Sequence, residues 1–278
     1  MSSLIVSALY VIATPIGNLE DISLRALRLL GQVKLIAAED TRTTRYLLKA
    51  YNIQTRLTSY YEHNKLEKIG YIINCLKEGD VALVSEAGMP GLSDTGYELI
   101  TAAIENNYPV IPVPGASAVI AALVVSGLPA DKFCYFGFLP RRKGDRRRLL
   151  QSISEEPRTM IFFEAPHRLI KSLNDILDIF GDRRLAVCRE MTKIHEEIFR
   201  GRLSQAIEHF TEPRGEFTLV IEGKIKDTPE ISASVEKELK ELYQQGSGAK
   251  EAVAKVSEKS GIPKKKVYQA WLNLVKGE

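Results

Sequence analysis

Val81-Ala82-Leu83-Val84-Ser85-Glu86-Ala87-Gly88-Met89-Pro90-Gly91-Leu92-Ser93-Asp94-Thr95-Gly96 opens on four apolar residues and breaks abruptly into glycine, proline and short polar side chains. A short apolar run bounded by turn residues reads as a strand buried on both faces. A helical pattern then starts near Thr95. Loops at the carboxyl ends of strands are where open α/β sheets place ligands. Glycines there let the backbone itself approach a bound molecule, because no Cβ intervenes. Taken alone, the segment serves equally well as an ordinary strand-to-helix connection, so its surroundings decide.

Upstream, Leu9 to Ala13 reads as a strand ending in Thr14-Pro15-Ile16-Gly17-Asn18. Ser23 to Leu30 reads as a helix stopped by Gly31, and Leu35 to Ala38 as a strand followed by Glu39-Asp40-Thr41-Arg42. Ile69 to Leu76 is helical in pattern. Downstream come a helix from Gly96 to Glu105, a strand from Val110 to Val113, the turn Pro114-Gly115-Ala116-Ser117 and a small-residue helix through Val125. Strands alternating with amphipathic helices predict an α/β sheet. Three Gly/Pro loops therefore follow three strands, and in a parallel sheet they share one edge. None of them reads G-x-G-x-x-G or G-x-x-x-x-G-K-[ST], which disfavours a dinucleotide or P-loop nucleotide site.

A composition shift follows. Phe133, Tyr135, Phe136 and Phe138 precede Arg141-Arg142-Lys143-Gly144-Asp145-Arg146-Arg147-Arg148, a run with six cations in eight residues. Next to a ligand cleft this run suits a clamp on a nucleic-acid backbone, since neutralising phosphates supplies most nonspecific affinity. Phe136 and Phe138 are suited to stacking a base, but alternating aromatics more often belong to a strand's core, which is the expectation for both. A second α/β series then runs through strands at Thr159 to Phe163, Leu185 to Cys188, Glu196 to Arg200 and Phe217 to Ile221, with helices at Leu169 to Phe180 and Ser204 to Phe210. A polar linker around Pro229 leads to three helices, Val235 to Gln244, Ala249 to Lys259 and Lys264 to Val275. The last two, split by Gly261-Ile262-Pro263, have a helix-turn-helix outline. The expected domains are 1–128, 129–225 and a helical extension at 235–278.

Composition narrows the function. A net charge of +3 over 278 residues implies no polyanion partner by itself, so the clustering of the cations carries the argument. Three widely spaced cysteines, Cys75, Cys134 and Cys188, argue for a reducing compartment and against a disulfide framework. The four histidines show no metal-ligand spacing, so no metal is expected. The apolar start, Leu4 to Ile16, is too short to span a bilayer and lacks the basic leader of a signal peptide. A cytoplasmic protein is expected.

The segments Leu9 to Asp21 (LYVIATPIGNLED), Ala38 to Arg42 (AEDTR), Ser85 to Gly96 (SEAGMPGLSDTG), Val113 to Val119 (VPGASAV), Phe136 to Arg142 (FGFLPRR), Phe162 to Arg168 (FFEAPHR) and Arg189 to Lys193 (REMTK) together resemble the tetrapyrrole methylase superfamily. Within it the chain is similar to the ribosomal RNA small subunit methyltransferase I family, whose members methylate a cytidine ribose 2′-oxygen in 16S ribosomal RNA. Two positions depart from the usual SDAG and SDPG of that family, where this chain has Glu86 and Thr95.

The resemblance implies two α/β domains with S-adenosylmethionine in the cleft between them, and a homodimer. It places Pro15, Glu86, Ala87, Gly88, Gly91, Ser117 and Ala118 around the cofactor, with Glu164, Ala165, Met191 and Thr218 closing over it. An alcohol is a poor nucleophile, so a positioned base would help. Asp40, Glu164, His167 and Glu190, all near strand ends, are the candidates, while Arg42 and Arg189 are suited to orienting a phosphate or a carboxylate. RNA contact is expected from Arg141, Arg142, Lys143, Arg146, Arg147 and Arg148, and from Lys264, Lys265 and Lys266. The competing readings are a tetrapyrrole (precorrin or uroporphyrinogen) C-methyltransferase and a non-enzymatic nucleic-acid-binding regulator.

Overall fold

The structure, a computed structural model, describes residues 7–225 and 231–276. The linker expected around Pro229 falls on 226–230, and Leu4 to Val6 of the apolar start fall on 1–6, both outside the described residues. The chain divides into two compact units, Met1–Lys224 and Ile225–Glu278.

The first unit opens with a five-stranded sheet. Its strands are β1 (Leu9–Ile12), β2 (Leu35–Ala38), β3 (Leu57–Ser59), β4 (Val81–Val84) and β5 (Val110–Val113), in the spatial order β3-β2-β4-β1-β5. All neighbours pair in parallel. β2 and β4 are buried at every position, as strands covered on both faces must be. Helices α1 (Leu24–Gln32) and α2 (Thr41–Ala50) cover one face, and α3 (Lys65–Leu76) and α4 (Tyr97–Glu105) the other. From β1 the chain crosses through α1 to β2 on one side. From neighbouring β4 it crosses through α4 to β5 on the opposite side. The crossing direction thus reverses between β1 and β4, which makes their carboxyl ends the topological switch point.

Three local readings change. α1 runs through Gly31 to Gln32 rather than stopping at it, and its N-terminus is capped by Ser23, whose hydroxyl accepts from the Ala26 N–H. α2 and β3 lie where no element was expected. Asp40 caps α2, accepting hydrogen bonds from the Arg42 N–H at 2.7 Å and the Thr43 N–H at 3.4 Å.

Helix α5 (Ala118–Val125) leads out of the first sheet, and its Val119, Ala122 and Leu123 pack on one face of a second sheet. That sheet joins β6 (Phe133–Phe138), β7 (Thr159–Glu164), β8 (Arg184–Arg189), β9 (Glu197–Arg202) and β10 (Phe217–Ile221) in the order β6-β7-β10-β8-β9. β6 and β7 are parallel, and the remaining pairs are antiparallel. α6 (Lys143–Ser152), α7 (Leu169–Phe180) and α8 (Leu203–His209) cover the other face through Leu150, Leu173, Ile176 and Leu203.

From Lys143 onward the arginine run is helical, with Arg142 at the N-cap. Arg146 and Leu150, four residues apart, form its buried stripe. The second unit consists of α9 (Ala233–Gln244), α10 (Ala249–Ser260) and α11 (Lys264–Lys276), packed around Leu239, Val256, Val267 and Trp271. Gly261 ends α10 in the left-handed region at φ 69°. No described helix is long and apolar enough to cross a membrane.

Candidate functional site

The three Gly/Pro loops of the first sheet meet at one cavity of about 650 Å³, within the range of small-molecule sites. Thr14 and Gly88 exchange backbone hydrogen bonds (2.9 and 3.0 Å), which fastens the loop after β1 to the loop after β4. Ser117 and Ala118, at the start of α5, complete that wall. The second sheet supplies the opposite wall, including Phe138, Phe163 to Pro166, Cys188, Met191 and Phe217 with Thr218.

The walls touch where Gly17 meets the turn after β8. A Cβ on Gly17 would collide with Lys193 Cγ and stand 2.7 Å from Thr192 Oγ1 and 2.9 Å from the Met191 carbonyl oxygen. The Asn18 N–H donates to Thr192 Oγ1 at 3.0 Å across the same seam. Only a residue without a side chain permits this approach.

Ten of the eleven residues expected around the cofactor line the cavity: Pro15, Glu86, Ala87, Gly88, Ser117, Ala118, Glu164, Ala165, Met191 and Thr218. Gly91 does not; its backbone packs under Gly96 within the same loop.

Of the four candidate bases, Glu164 alone reaches the wall, and its buried carboxylate is already engaged. Ser172 Oγ, the Ala165 N–H (2.8 Å) and the Arg168 guanidinium all bind it. Asp40 pairs with Arg42, whose hydrogen bonds hold its carboxyl down at about 2. His167 is exposed on the turn after β7 and is not part of the cavity lining, although its neighbour Pro166 is. Burial pushes the Glu190 carboxyl up, but the Glu216 N–H and Lys193 outweigh it and leave the group below its ordinary value. Arg189 is held by Glu197 and by the Arg214 carbonyl.

Three carboxylates outside the sequence-derived candidates also line the cavity: Glu39 and Asp94 on the first sheet's side, and Glu216, paired with Lys193 at 2.9 Å, on the second's. Burial, reinforced by Glu39, pushes Asp94 up to about 7. Burial and the neighbouring Asp40 push Glu86 up as well. Carboxyl groups crowded in this way favour a cation among them. The signal in the sequence was Asp94 itself, an acid inside a Gly/Pro loop at a strand end.

The basic run divides. Arg146 is 4% exposed, and its Nε and Nη2 donate to Asp175 at 2.9 and 2.6 Å. Arg147 bridges Asp175 at 2.9 Å and Asp178 at 3.0 Å. The expected phosphate contact by Arg146 is thus corrected, because its guanidinium is enclosed and neutralised where α6 packs on α7. Arg141, Arg142, Lys143 and Arg148 are exposed. So are Lys264, Lys265 and Lys266 at the start of α11. The aromatic pair divides too: Phe136 stacks on core residue Phe162, whereas Phe138 is 54% exposed on the cavity wall, contrary to its expected place in the core.

Residues 8–207 match the tetrapyrrole (corrin/porphyrin) methylases. The chain is 45% identical over 271 residues to the ribosomal RNA small subunit methyltransferase I of Halalkalibacterium halodurans, covering 95% of this chain and 94% of that one. It is 52% identical over 219 residues to the protein of the same name from Thermotoga maritima, covering 78% of this chain and 98% of that one. Among solved structures, uroporphyrin-III C-methyl transferase of Thermus thermophilus complexed with S-adenyl homocysteine superposes with a TM-score of 0.56 at 19% identity. That superposition covers 78% of this chain and 97% of that one, and at this identity the likeness concerns the fold.

Proposed function

The chain belongs to the ribosomal RNA small subunit methyltransferase I family of tetrapyrrole methylases, and from that premise we propose that it transfers a methyl group from S-adenosylmethionine to the 2′-hydroxyl of a cytidine ribose in 16S ribosomal RNA. The observation that carries the reading is the cavity at the β1–β4 switch point, walled by three backbone-rich loops on one side and by side chains of the second sheet on the other. Its donor set fits the cofactor. Loop amides and carbonyls from Pro15, Ala87, Gly88, Ser117 and Ala118 suit the adenosine and methionine parts, and Glu39, Glu86 and Asp94 suit a molecule that carries cationic centres. Glu164 and Ala165 with Met191 and Thr218 would close the other side.

Bound there, S-adenosylmethionine supplies a methyl group on a good leaving group. The chain's own part is to orient. The Thr14–Gly88 pairing and the Gly17 seam hold the walls in register, and an acceptor held at attack distance gains much of the acceleration by proximity alone. We assign RNA contact to the exposed Arg141, Arg142, Lys143 and Arg148, and to Lys264, Lys265 and Lys266 of the second unit. The segments 1–128, 129–225 and 235–278 are taken as the functional divisions, and the protein as a cytoplasmic homodimer. The tetrapyrrole C-methyltransferase reading rests on likeness of fold alone and is the weaker. The non-enzymatic regulator leaves the cavity unused and falls with the family membership.

Labelled cofactor offered in parallel to small ribosomal subunits, naked 16S RNA and a uroporphyrinogen tests the proposal. Label that nuclease mapping places on a cytidine ribose supports it. Label on a base, or on the tetrapyrrole only, defeats it.

A further inference from the structure

We propose that Phe138 is a stacking platform for the base of the nucleotide whose ribose is methylated, an assignment that rests on the RNA reading above. Strand register sets its position. Tyr135 lies opposite Ile161 and Phe138 opposite Phe163, so Phe136 and Gly137 together face the single residue Phe162. This is a β-bulge, with Gly137 in the left-handed region at φ 66°. Residues three apart on a regular strand point to opposite faces. Here Tyr135 and Phe138 both meet Phe163 edge-on, with centroids 5.3 and 5.4 Å away. The bulge has re-aimed Phe138 toward the cavity, while Phe136 remains stacked on Phe162 in the core.

The re-aimed ring is held in place. Phe163 backs it, and the Leu139 carbonyl beside it accepts from Arg168 Nη1 at 3.0 Å. Tyr135 shares a 2.6 Å hydrogen bond with Ser93 of the loop after β4. Gly137 has a second reason to lack a side chain, because a Cβ there would stand 2.9 Å from Ser93 Oγ.

An exposed aromatic fixed at a cavity wall, three and four residues before exposed Arg141 and Arg142, combines the two elements that hold an unstacked nucleotide: a π-face and phosphate-binding cations. A phenyl ring has no hydrogen-bonding atom, so it supplies affinity and placement without reading which base is present.

The test uses the full chain and whichever RNA form the wild type methylates. Phe138→Ala and Phe138→Leu are expected to lower kcat/KM for RNA by about tenfold to a hundredfold, the range that removing one base stack gives. Phe138→Trp should stay within a few-fold of wild type. S-adenosylmethionine affinity by calorimetry should be unchanged in all three. A leucine variant as active as wild type would reduce Phe138 to an apolar filler and overturn the assignment. A parallel fall in cofactor affinity would place the ring on the cofactor, with the same consequence. If the wild type transfers nothing to any RNA, the underlying reading falls first, a result distinct from an active wild type with indifferent variants.

Discussion

The two sheets meet the cavity with different materials. The first is wholly parallel, so the loops after β1 and β4 and the turn after β5 emerge together at one edge, presenting backbone, small residues and the carboxyl groups of Glu39, Glu86 and Asp94. The second is mixed. Its cavity edge collects the ends of β6, β7 and β8 beside the start of β10, and it presents side chains: Phe138, Phe163, Met191, and Lys193 neutralised by Glu216. A wall of backbone and acids suits a compact, partly cationic ligand. A wall of rings beside exposed arginines suits a polyanion with aromatic bases. In the proposed arrangement the first wall holds the cofactor, Glu164, Ala165, Met191 and Thr218 of the second close over it, and RNA lies at Phe138 and the exposed arginines, a contrast that can be broken from either side.

The largest effect is expected at Arg146, inside the second wall's scaffold. Arg146→Ala leaves Asp175 buried with only Arg147 to pair with, and it removes a donor lying 3.4 Å from both the Pro140 and Arg141 carbonyls. Breaking a buried ion pair costs about 3–5 kcal/mol. A large drop in denaturation midpoint by urea titration is the expected outcome. Unchanged stability with weakened RNA use would return Arg146 to the phosphate-binding set.

On the first wall, Asp94 gives a pH signature. Its carboxyl titrates at about 7 in the folded chain, against an ordinary 3.8. Between those values the folded state holds a proton that the unfolded state has released. The group's effect on stability is therefore most favourable below pH 4, declines as pH rises toward 7, and is level beyond. Asp94→Asn should escape that decline. The stability difference between variant and wild type should grow by about 2–3 kcal/mol from pH 4 to pH 7.5, a size set by the shift and reduced by partial solvent screening. A difference that stays flat with pH would show that Asp94 is ionised throughout.

The seam between the walls is next. Gly17→Val forces Thr192 and the Met191 carbonyl to move, at a cost of about 1–3 kcal/mol for overpacking. Because both walls contact the cofactor in the proposed arrangement, its affinity should fall together with stability. Calorimetry beside thermal denaturation would detect the pairing. Destabilisation with intact cofactor affinity would mean that one wall suffices.

Legibility in the sequence follows the same contrast. β2 and β4 lie at the residues read from their apolar runs, because strands buried on both faces announce themselves; β5, a half-buried edge strand, was legible from its β-branched residues and the Pro/Gly turn that ends it. The convergence of the three loops followed from parallel topology alone. α6 was hidden because its core-facing stripe begins with an arginine, Arg146, where a periodicity reading looks for an apolar residue. α2 was hidden because Asp40 also suits a catalytic base, although an Asp just before Thr44, Leu47 and Leu48 is an ordinary helix start. Phe138 was misplaced because alternation assumes an unbroken strand, and a bulge shifts every residue after it to the other face.

The smallest effect on stability, with an effect confined to RNA affinity, belongs to the exposed arginines. Arg141 and Arg142 have no acidic partner among the described residues, and Arg148 has only a surface pairing with Asp145 at 3.5 Å. Removing all three should change stability by no more than about 0.5 kcal/mol, since exposed pairs contribute little. Their role would appear in salt dependence. For every phosphate left without its arginine, the slope of log affinity against log salt should fall by about one, measured as the KM for RNA across a salt series. Cofactor affinity should not move, because these side chains stand outside the cavity lining. A triple variant that keeps the wild-type slope would take the phosphate-binding role away from the second wall. A variant that loses cofactor affinity instead would dissolve the division between cofactor-holding and RNA-holding residues, since both ligands would then depend on the same side chains.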